Sequence, residues 1–137
     1  MRVRLIMQRE SSGDLASPEG AFLRLGEGLS GTVPKHPERA ISLLAAEALP
    51  LLPRFDGLCT GKFRGDIITE GLDFSALSVG TRLAVGGGVV RITAKKSCYD
   101  QCPLRQLGET CPLPESCAFA AVEAEGAFSP GDEIRIL

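Results

Sequence analysis

Glycine and proline are dense along this chain and leave little room for long helices. The sequence has 16 glycines and 9 prolines in 137 residues, above the roughly 12% that the two supply in an average protein. Both residues interrupt helices, because proline lacks an amide donor and glycine loses the most conformational freedom on folding. The sequence therefore predicts many short strands joined by turns, with few helices.

The length and composition fit one domain. A chain of 137 residues falls within the roughly 100–200 residues of an ordinary domain. Hydrophobic residues at 44% and charged residues at 23% exclude a disordered acidic tail, a collagen-like repeat and a coiled coil. A net charge of −2 argues against nucleic-acid binding. We predict a single domain over residues 1–137 and no nucleic-acid partner.

The apolar stretches are too short for a membrane span or a secretory signal. Residues 40–52 are interrupted by Ser42, Glu47 and Pro50, whereas a membrane-spanning helix needs about 20 apolar residues. The apolar start of the chain ends at Gln8, before the roughly 7–15 apolar residues of a signal peptide are complete. We expect a cytoplasmic protein with no membrane partner.

Alternation of apolar and polar residues identifies the strand candidates. These candidates are residues 2–9, 81–85, 90–92, 118–123 and 133–137. In the first, Val3, Leu5 and Met7 share a face. We expect a hairpin around the glycine run at 86–88, and we expect the last two strands to pair, with Ile134 and Ile136 facing inward.

Residues 40–49 are the one convincing helix candidate, because they are good helix formers and Pro50 ends them. Residues 40–43 fit a strand leading into that helix equally well. Short strands at this spacing with one helix indicate a mainly β chain with few helices, arranged as a compact β-barrel.

Four of the five cysteines fall close together, at Cys98, Cys102, Cys111 and Cys117, whereas Cys59 is isolated. An odd number does not suit a disulfide framework, and in a reducing compartment such a cluster is more often metal-binding or reactive. The first spacing fits a zinc site, but the second is wider than usual. A small buried hydrophobe is the alternative interpretation for Cys111, Cys117 and Cys59.

The surroundings of Cys98 favour reactivity. Lys95 and Lys96 come just before it, and nearby cations populate the thiolate, which is the species that attacks sulfur or binds metal. A second thiol at Cys102 suits the resolution of a persulfide or sulfenate on Cys98.

Residues 61–73 form a predicted exposed loop with polar and aromatic groups. Phe63, Arg64, Asp66 and Thr69 supply an anion clamp and hydrogen-bonding groups, since arginine recognises phosphate or carboxylate through paired donors. On composition alone, a solvated surface turn accounts for the same residues.

A series of sequence blocks runs through most of the chain. The blocks are Gly28-Leu29-Ser30-Gly31, Ile41-Ser42-Leu43-Leu44, Gly61-Lys62-Phe63, Ile67-Ile68-Thr69-Glu70-Gly71-Leu72-Asp73, Leu77-Ser78-Val79-Gly80-Thr81-Arg82-Leu83, Ile92-Thr93, Cys98, Cys102, Gly108, Cys111, Pro114, Phe119-Ala120 and Gly131-Asp132-Glu133-Ile134. Through them the chain resembles the MOSC domain, named for the C-terminal part of molybdenum cofactor sulfurase, and its small bacterial subgroup in particular. Residues 1–27 match only weakly, as an N-terminal strand and loop.

The resemblance implies a MOSC-type β-barrel that handles sulfur. In this role Cys98 accepts sulfane sulfur from a pyridoxal-phosphate cysteine desulfurase and delivers it to a metal–sulfur centre, or ligates the molybdenum of the cofactor. Cys102 and Cys111 are then further catalytic or co-ligating thiols, and molybdenum cofactor biosynthesis proteins are the expected partners. The implied cofactor-binding residues are Phe63, Arg64, Asp66, Thr69 and Lys96, with Arg64 and Lys96 attracting the anionic pterin phosphate.

The chain departs from the family pattern at three places. Gly65-Asp66 replaces the usual Glu-Asn pair, residues 31–34 replace a Gly-Asp-x-His block, and Cys117 replaces a glycine. The first two changes remove polar groups expected to line a pocket for small-molecule turnover.

Two alternatives stand beside the sulfur carrier. One is a non-catalytic module whose cysteines hold a structural zinc or iron–sulfur centre. The other is a molybdenum-dependent reductase of N-hydroxylated compounds, supplied with electrons by another protein. The chain is thus interpreted as a sulfur transferase, a molybdenum-cofactor oxidoreductase or a protein without catalysis.

Overall fold

The structure is a computed structural model that describes residues 1–9, 15–31, 36–54, 65–96, 101–108 and 111–137. The strands of these residues are β1 (Arg2–Ile6), β2 (Gln8–Arg9), β3 (Leu15–Ala16), β4 (Ala21–Arg24), β5 (Gly28–Leu29), β6 (Ile41–Ala45), β7 (Ile67–Glu70), β8 (Arg82–Val85), β9 (Gly88–Lys95), β10 (Cys117–Ala124), β11 (Gly126–Phe128) and β12 (Ile134–Ile136). The helical elements are α1 (Pro103–Gln106) and short 3-10 turns at Pro37–Arg39, Ala46–Ala48, Leu52–Arg54, Phe74–Ala76 and Leu113–Glu115. Within these ranges no helix has the length and apolarity needed to span a membrane.

Seven strands form one sheet in the order β1-β7-β6-β10-β9-β8-β12. Neighbours are antiparallel except β6 and β7, which run parallel. The two edge strands meet at a bridge between Arg2 and Glu133. There the Val3 amide donates to the Asp132 carbonyl at 2.9 Å, and the Ile134 amide donates to the Met1 carbonyl at 2.9 Å. The sheet therefore curls into a nearly closed barrel, which confirms the mainly β, barrel-like prediction.

The central strands are buried on both faces. All five residues of β6 are buried, and so are Ile67, Ile68 and Thr69 of β7. Because every side chain of such a strand meets protein, its sequence reads as a continuous apolar run instead of alternating. This explains why the helix predicted over residues 40–49 is wrong, whereas the alternative of a strand at residues 40–43 is confirmed. Those residues form β6 and a 3-10 turn, since barrel packing outweighs a modest helix propensity.

The hairpin of β8 and β9 is confirmed, with Leu83 opposite Val90. The predicted pairing of the last two strands is wrong, because β12 pairs with β8 whereas β10 lies between β6 and β9. Ile134 faces the core as expected, but Ile136 at the barrel end is half exposed.

The first strand candidate is split. It forms β1 and β2, with a register irregularity between Val3 and Leu5. An extra residue in one strand shifts the alternation by one position. Val3 and Ile6 are therefore the buried pair, in place of the predicted face of Val3, Leu5 and Met7.

A three-stranded sheet in the order β11-β4-β5 packs on the turn between β8 and β9. The Gly87 amide donates to the Ala127 carbonyl at 2.9 Å. A Cβ on Gly126 would lie only 2.1 Å from the Gly87 carbonyl oxygen. The two backbones approach so closely that only glycine fits at position 126.

We expect Gly126→Ala to lower the free energy of unfolding by at least about 1–3 kcal/mol, because the new methyl group forces the backbone at position 126 away from the backbone at Gly87. Gly20→Ala is the matched control, since its Cβ would lie 3.3 Å from the Ser129 hydroxyl and 3.6 Å from the Phe128 carbonyl oxygen, without a backbone clash. Urea denaturation of both variants measures the difference. Equal stability of the two variants would contradict the close approach.

Candidate functional site

Four strand ends meet at one rim of the barrel. The parallel strands β6 and β7 end there, with Ala45 beside Thr69. Strand β9 ends there at Lys95, which lies opposite Ala118, just after the start of β10 at Cys117. The connection from β9 to β10 therefore leaves and re-enters the barrel at this rim, and its sequence carries Cys98, Cys102 and Cys111.

A cleft of about 290 Å³ opens at this rim. Its lining residues are Ala45, Glu47, Gly71, Leu72, Asp73, Phe74 and Glu115. Ala45 is the last residue of β6, Glu115 precedes β10, and the other residues follow the carboxyl end of β6 or β7. We call this the rim cleft. Concave sites of this kind, apolar in part and with a few polar groups, are the usual places for ligands.

Hydrogen bonds fix the walls of the rim cleft. The Gly71 amide donates to the Glu47 carboxylate at 2.8 Å, which joins the two segments that follow the parallel strands. The Lys95 ammonium donates to the carbonyls of Phe74 and Leu77, the latter at 3.0 Å. The end of β9 is therefore tied to the 3-10 turn that forms one wall.

Asp73 caps that same turn. Its carboxylate accepts hydrogen bonds from the Ser75 hydroxyl at 2.6 Å and the Ser75 amide at 3.0 Å. These bonds, the hydroxyl first, lower the pKa of Asp73 below its ordinary value, and the charge of Lys95 adds to the effect. With Glu47 and Glu115, the cleft thus presents three carboxyl groups from three separate segments.

The described thiols differ in exposure. Cys117 is fully buried in the core and Cys102 is 6% exposed, whereas Cys111 is partly exposed and packs against the core. The Cys117 thiol donates to the Leu113 carbonyl at 3.1 Å. The interpretation of Cys117 as a small buried hydrophobe is therefore confirmed, whereas Cys98 and Cys59 lie outside the described residues.

Asp66 lies away from the rim cleft. It is 6% exposed, and its carboxylate accepts from the Ser42 amide at 2.8 Å and the Ser42 hydroxyl at 2.9 Å. The prediction of an exposed loop is wrong at Asp66. This residue is buried and joins the starts of β6 and β7, at the end of these strands opposite the rim cleft. The hydrogen bonds from Ser42 to this carboxylate hold the starts of the two strands together.

Thr69 also departs from the expected exposed loop. It lies within β7 and is 0% exposed. Its register partner Ala45 lines the rim cleft. The Thr69 hydroxyl has no hydrogen-bond partner among the described residues, which is costly for a buried polar group.

The remaining predicted cofactor-binding residues are only partly covered by the structure. Lys96 is partly exposed directly after β9. Phe63 and Arg64 lie outside the described residues. The structure thus brings Thr69, Lys95 and the thiol-bearing connection to one rim but does not bring Asp66 there.

The rim cleft does not fit an anionic pterin cofactor. Glu47, Asp73 and Glu115 place carboxylates where a phosphate needs cationic or amide donors. The Gly71 amide is already used by Glu47, and the Lys95 ammonium is held by carbonyls. In the described part of the chain, no group of three or more His, Cys, Asp or Glu residues is arranged to hold a metal.

Sequence reasoning missed the three carboxyl residues of the cleft. Glu47 falls within the predicted helix, and nothing in the sequence distinguishes Glu115 from a solvated glutamate. Asp73 had a usable signal, because an Asp followed two residues later by Ser is typical of a side-chain-capped turn.

Solved structures with this fold provide the comparison. YiiM from Escherichia coli matches with a TM-score of 0.61 and 18% identity, over 98% of this chain and 69% of that one. YiiM from Geobacillus stearothermophilus gives 0.61 and 15%, over 99% and 74%. The YuaD protein from Bacillus subtilis gives 0.64 and 14%, over 97% and 93%. No protein-family profile matches the chain, and no curated protein matches its sequence.

These neighbours show a MOSC-like fold for this chain. At 14–18% identity the likeness concerns the fold alone. Function depends on the residues that this particular chain places on that fold.

The lowered pKa of Asp73 means that its charged form stabilises the fold above the pKa of the unfolded chain. That contribution disappears as the pH falls through the folded-state pKa. We expect Ser75→Ala to raise the pKa of Asp73, because the strongest donor is removed. Titration of the Asp73 carboxyl carbon by NMR measures it, with Ser78→Ala as the control. An unchanged midpoint in Ser75→Ala would refute the assigned hydrogen bond.

Thr69→Val should raise the free energy of unfolding by about 1 kcal/mol, because it replaces an unsatisfied buried hydroxyl with a methyl of similar shape. Thr69→Ser, which keeps the hydroxyl and removes the methyl, should lower it by about 1 kcal/mol. Chemical denaturation of both variants compares them. A destabilised Thr69→Val would show that the hydroxyl is bound to something in solution.

Proposed function

We propose that this chain is a sulfur-handling protein of molybdenum cofactor metabolism, in which Cys98 accepts sulfane sulfur and passes it on. The observation that carries the proposal is the position of the cysteine-rich connection. It leaves the barrel beside the rim cleft and returns there, on a MOSC-like fold. A reactive thiol must be held in a defined position that a partner can approach. The ends of four paired strands provide a rigid support for the connection that carries the thiols.

Charge at the end of β9 supports a reactive thiol in this connection. Lys95 and Lys96 are the last two residues before the segment that begins at residue 97. Nearby ammonium groups favour the thiolate over the thiol, and the thiolate is the form that attacks sulfur. The ammonium of Lys95 is held in place by two carbonyl groups, so its charge is fixed at this end of the barrel.

In the proposed transfer, the Cys98 thiolate attacks the outer sulfur of a persulfide on a pyridoxal-phosphate cysteine desulfurase. A new sulfur–sulfur bond forms as the donor's bond breaks, and the donor cysteine leaves as a thiolate. The exchange involves no net oxidation. The proposed location is the cytoplasm, because thiols stay reduced there and a reduced thiol is needed to accept the sulfur.

The acceptor is a metal–sulfur centre of the molybdenum cofactor held by a partner protein. The carboxylate-lined rim cleft favours this arrangement over resident cofactor binding. Arg64 and Lys96 remain the candidates for attracting the anionic part of that acceptor. Molybdenum cofactor biosynthesis proteins are the proposed partners.

The test is loading with sulfur from a cysteine desulfurase and cysteine under anaerobic conditions. Cyanide-labile sulfur is then measured in the wild type, Cys98→Ser and Cys117→Ala. We expect about one labile sulfur per chain in the wild type, none in Cys98→Ser and an unchanged amount in Cys117→Ala, since Cys117 is a core residue.

Elemental analysis of the same sample separates the alternatives. About one zinc or iron per chain with few titratable thiols would refute the carrier and identify a structural metal centre. Molybdenum with a bound pterin would support the reductase of N-hydroxylated compounds instead. Labile sulfur that persists in Cys98→Ser would remove Cys98 from its proposed role.

A further inference from the structure

The three carboxylates of the rim cleft lack positively charged partners. Glu47, Asp73 and Glu115 are all exposed. None of them forms an ion pair with any residue that the structure describes, whereas the neighbouring Glu70 is paired with Arg2 at 3.0 Å. A cleft lined by charges of one sign raises the local concentration of the opposite charge. The rim cleft is therefore suited to a cationic ligand.

The hydrogen-bond donors at the cleft are already engaged. The Gly71 amide donates to Glu47 at 2.8 Å, and the Lys95 ammonium donates to two backbone carbonyls. The amide and hydroxyl of Ser75 both donate to Asp73. What the cleft offers a ligand is therefore mainly carboxylate oxygen. A matching group brings donors and no acceptor, and among side chains this describes lysine and arginine.

A buried acceptor beside the cleft also lacks a donor. Thr69 is 0% exposed, and its hydroxyl has no hydrogen-bond partner in the described part of the chain. Its register partner Ala45 lines the cleft, and paired residues of neighbouring strands project from the same face of the sheet. Its partner on the other side is Val3, which has no polar side-chain atom. The hydroxyl thus faces the side on which the cleft opens, where a donor that enters would satisfy it.

The cleft also has an apolar wall. Ala45, Leu72 and Phe74 line it and are 7%, 5% and 2% exposed. Long cationic side chains lay their methylene stems along such a surface and keep the charged head among polar groups. A bare metal ion would make no use of this wall, and no set of metal ligands converges within the described residues. The cleft therefore suits a cationic side chain better than a metal ion.

We infer that the rim cleft binds an arginine side chain of a partner protein. The guanidinium lies among the carboxylates of Glu47, Asp73 and Glu115, and the Thr69 hydroxyl accepts one of its hydrogen bonds. Arginine is favoured over lysine because its planar head presents five donors in a fixed fork and is less strongly hydrated. The inference rests on the proposed function only for the identity of the partner, which is the protein that exchanges sulfur at this rim.

The test titrates the ¹⁵N-labelled wild-type protein with Nα-acetyl-arginine amide, in which the guanidinium is the only charge, and follows the backbone amides by NMR. We expect a saturable shift of the Gly71 amide, because this amide is bonded to the Glu47 carboxylate. The uncharged analogue Nα-acetyl-citrulline amide should leave the Gly71 signal in place. Equal shifts with the two probes, or no shift with the arginine probe, would overturn the inference.

Two further probes define the ligand. Nα-acetyl-lysine amide should bind more weakly than the arginine probe, and equal or tighter binding would overturn the assignment of a guanidinium. Free arginine carries an α-carboxylate that the cleft carboxylates repel, so it should also bind more weakly than the amide. Tighter binding of free arginine would identify a small-molecule site and overturn the docking of a partner protein.

Variants test the residues of the site. Glu115→Gln should weaken binding of the arginine probe at least about threefold, because a charged acceptor is lost. Glu19→Gln removes the same charge from an exposed residue outside the cleft and should leave the affinity unchanged. Thr69→Val should weaken binding at least about threefold, whereas Thr69→Ser keeps the acceptor and should retain the affinity. Wild-type affinity in Glu115→Gln or in Thr69→Val would overturn the inference.

This inference and the proposed function fail in different ways. Labile sulfur on Cys98 in a protein that does not bind the arginine probe would overturn the inference and leave the carrier function intact. Binding of the probe by a protein that takes up no labile sulfur would overturn the carrier function and leave the cleft as an arginine site.

Discussion

The parallel pairing of β6 and β7 is the constraint on which the barrel and its site depend. Every other neighbour pair in the seven-stranded sheet is antiparallel. A parallel pair cannot be joined by a tight turn, so the chain needs a long crossover, here residues 46–66. Asp66 and Ser42 secure the starts of the two strands, and Glu47 and Gly71 connect the segments beyond their ends. The second contact is also a wall of the rim cleft, so the same pairing builds the barrel and shapes the candidate site.

Closure of the barrel depends on a much smaller set of contacts. Strands β1 and β12 meet through one bridge and a few backbone hydrogen bonds near Val3. The Arg2 guanidinium binds the Glu70 carboxylate on the neighbouring strand at 3.0 Å and lowers the pKa of Glu70, but the pair is exposed and screened by water. Burial of Val3 and Ile6 holds β1 in place more firmly than this ion pair does.

Sequence reasoning reached the fold class because it used features that are local. The glycine run at 86–88 and the alternation around Leu83 and Val90 predicted a hairpin that the structure confirms. It left a helix and a strand equally open at the start of residues 40–49, because burial of Ile41–Ala45 on both faces removes the alternation that marks a strand. It failed at β12, since pairing with β8 is decided by barrel closure, which no local pattern encodes.

The candidate site was predictable only in part, for the same reason. The cysteine cluster was visible in the sequence, but the burial that distinguishes Cys111 from Cys102 comes from tertiary packing. Asp66 and Thr69 have the residue types of a binding loop, yet packing places one at the far end of the strands and the other in the core. The carboxylates of the cleft come from segments more than twenty residues apart and meet only after folding.

The contact between Gly126 and Gly87 also determines how the small sheet is aligned with the barrel. The residues beside Gly126 in the chain are Glu125 and Ala127, and both carry a Cβ. A slip of β11 by one residue in either direction would push that Cβ against the Gly87 carbonyl, where only glycine fits. Strand β11 therefore has a single permitted register, and through its pairing with β4 it fixes where β4 and β5 attach to the barrel.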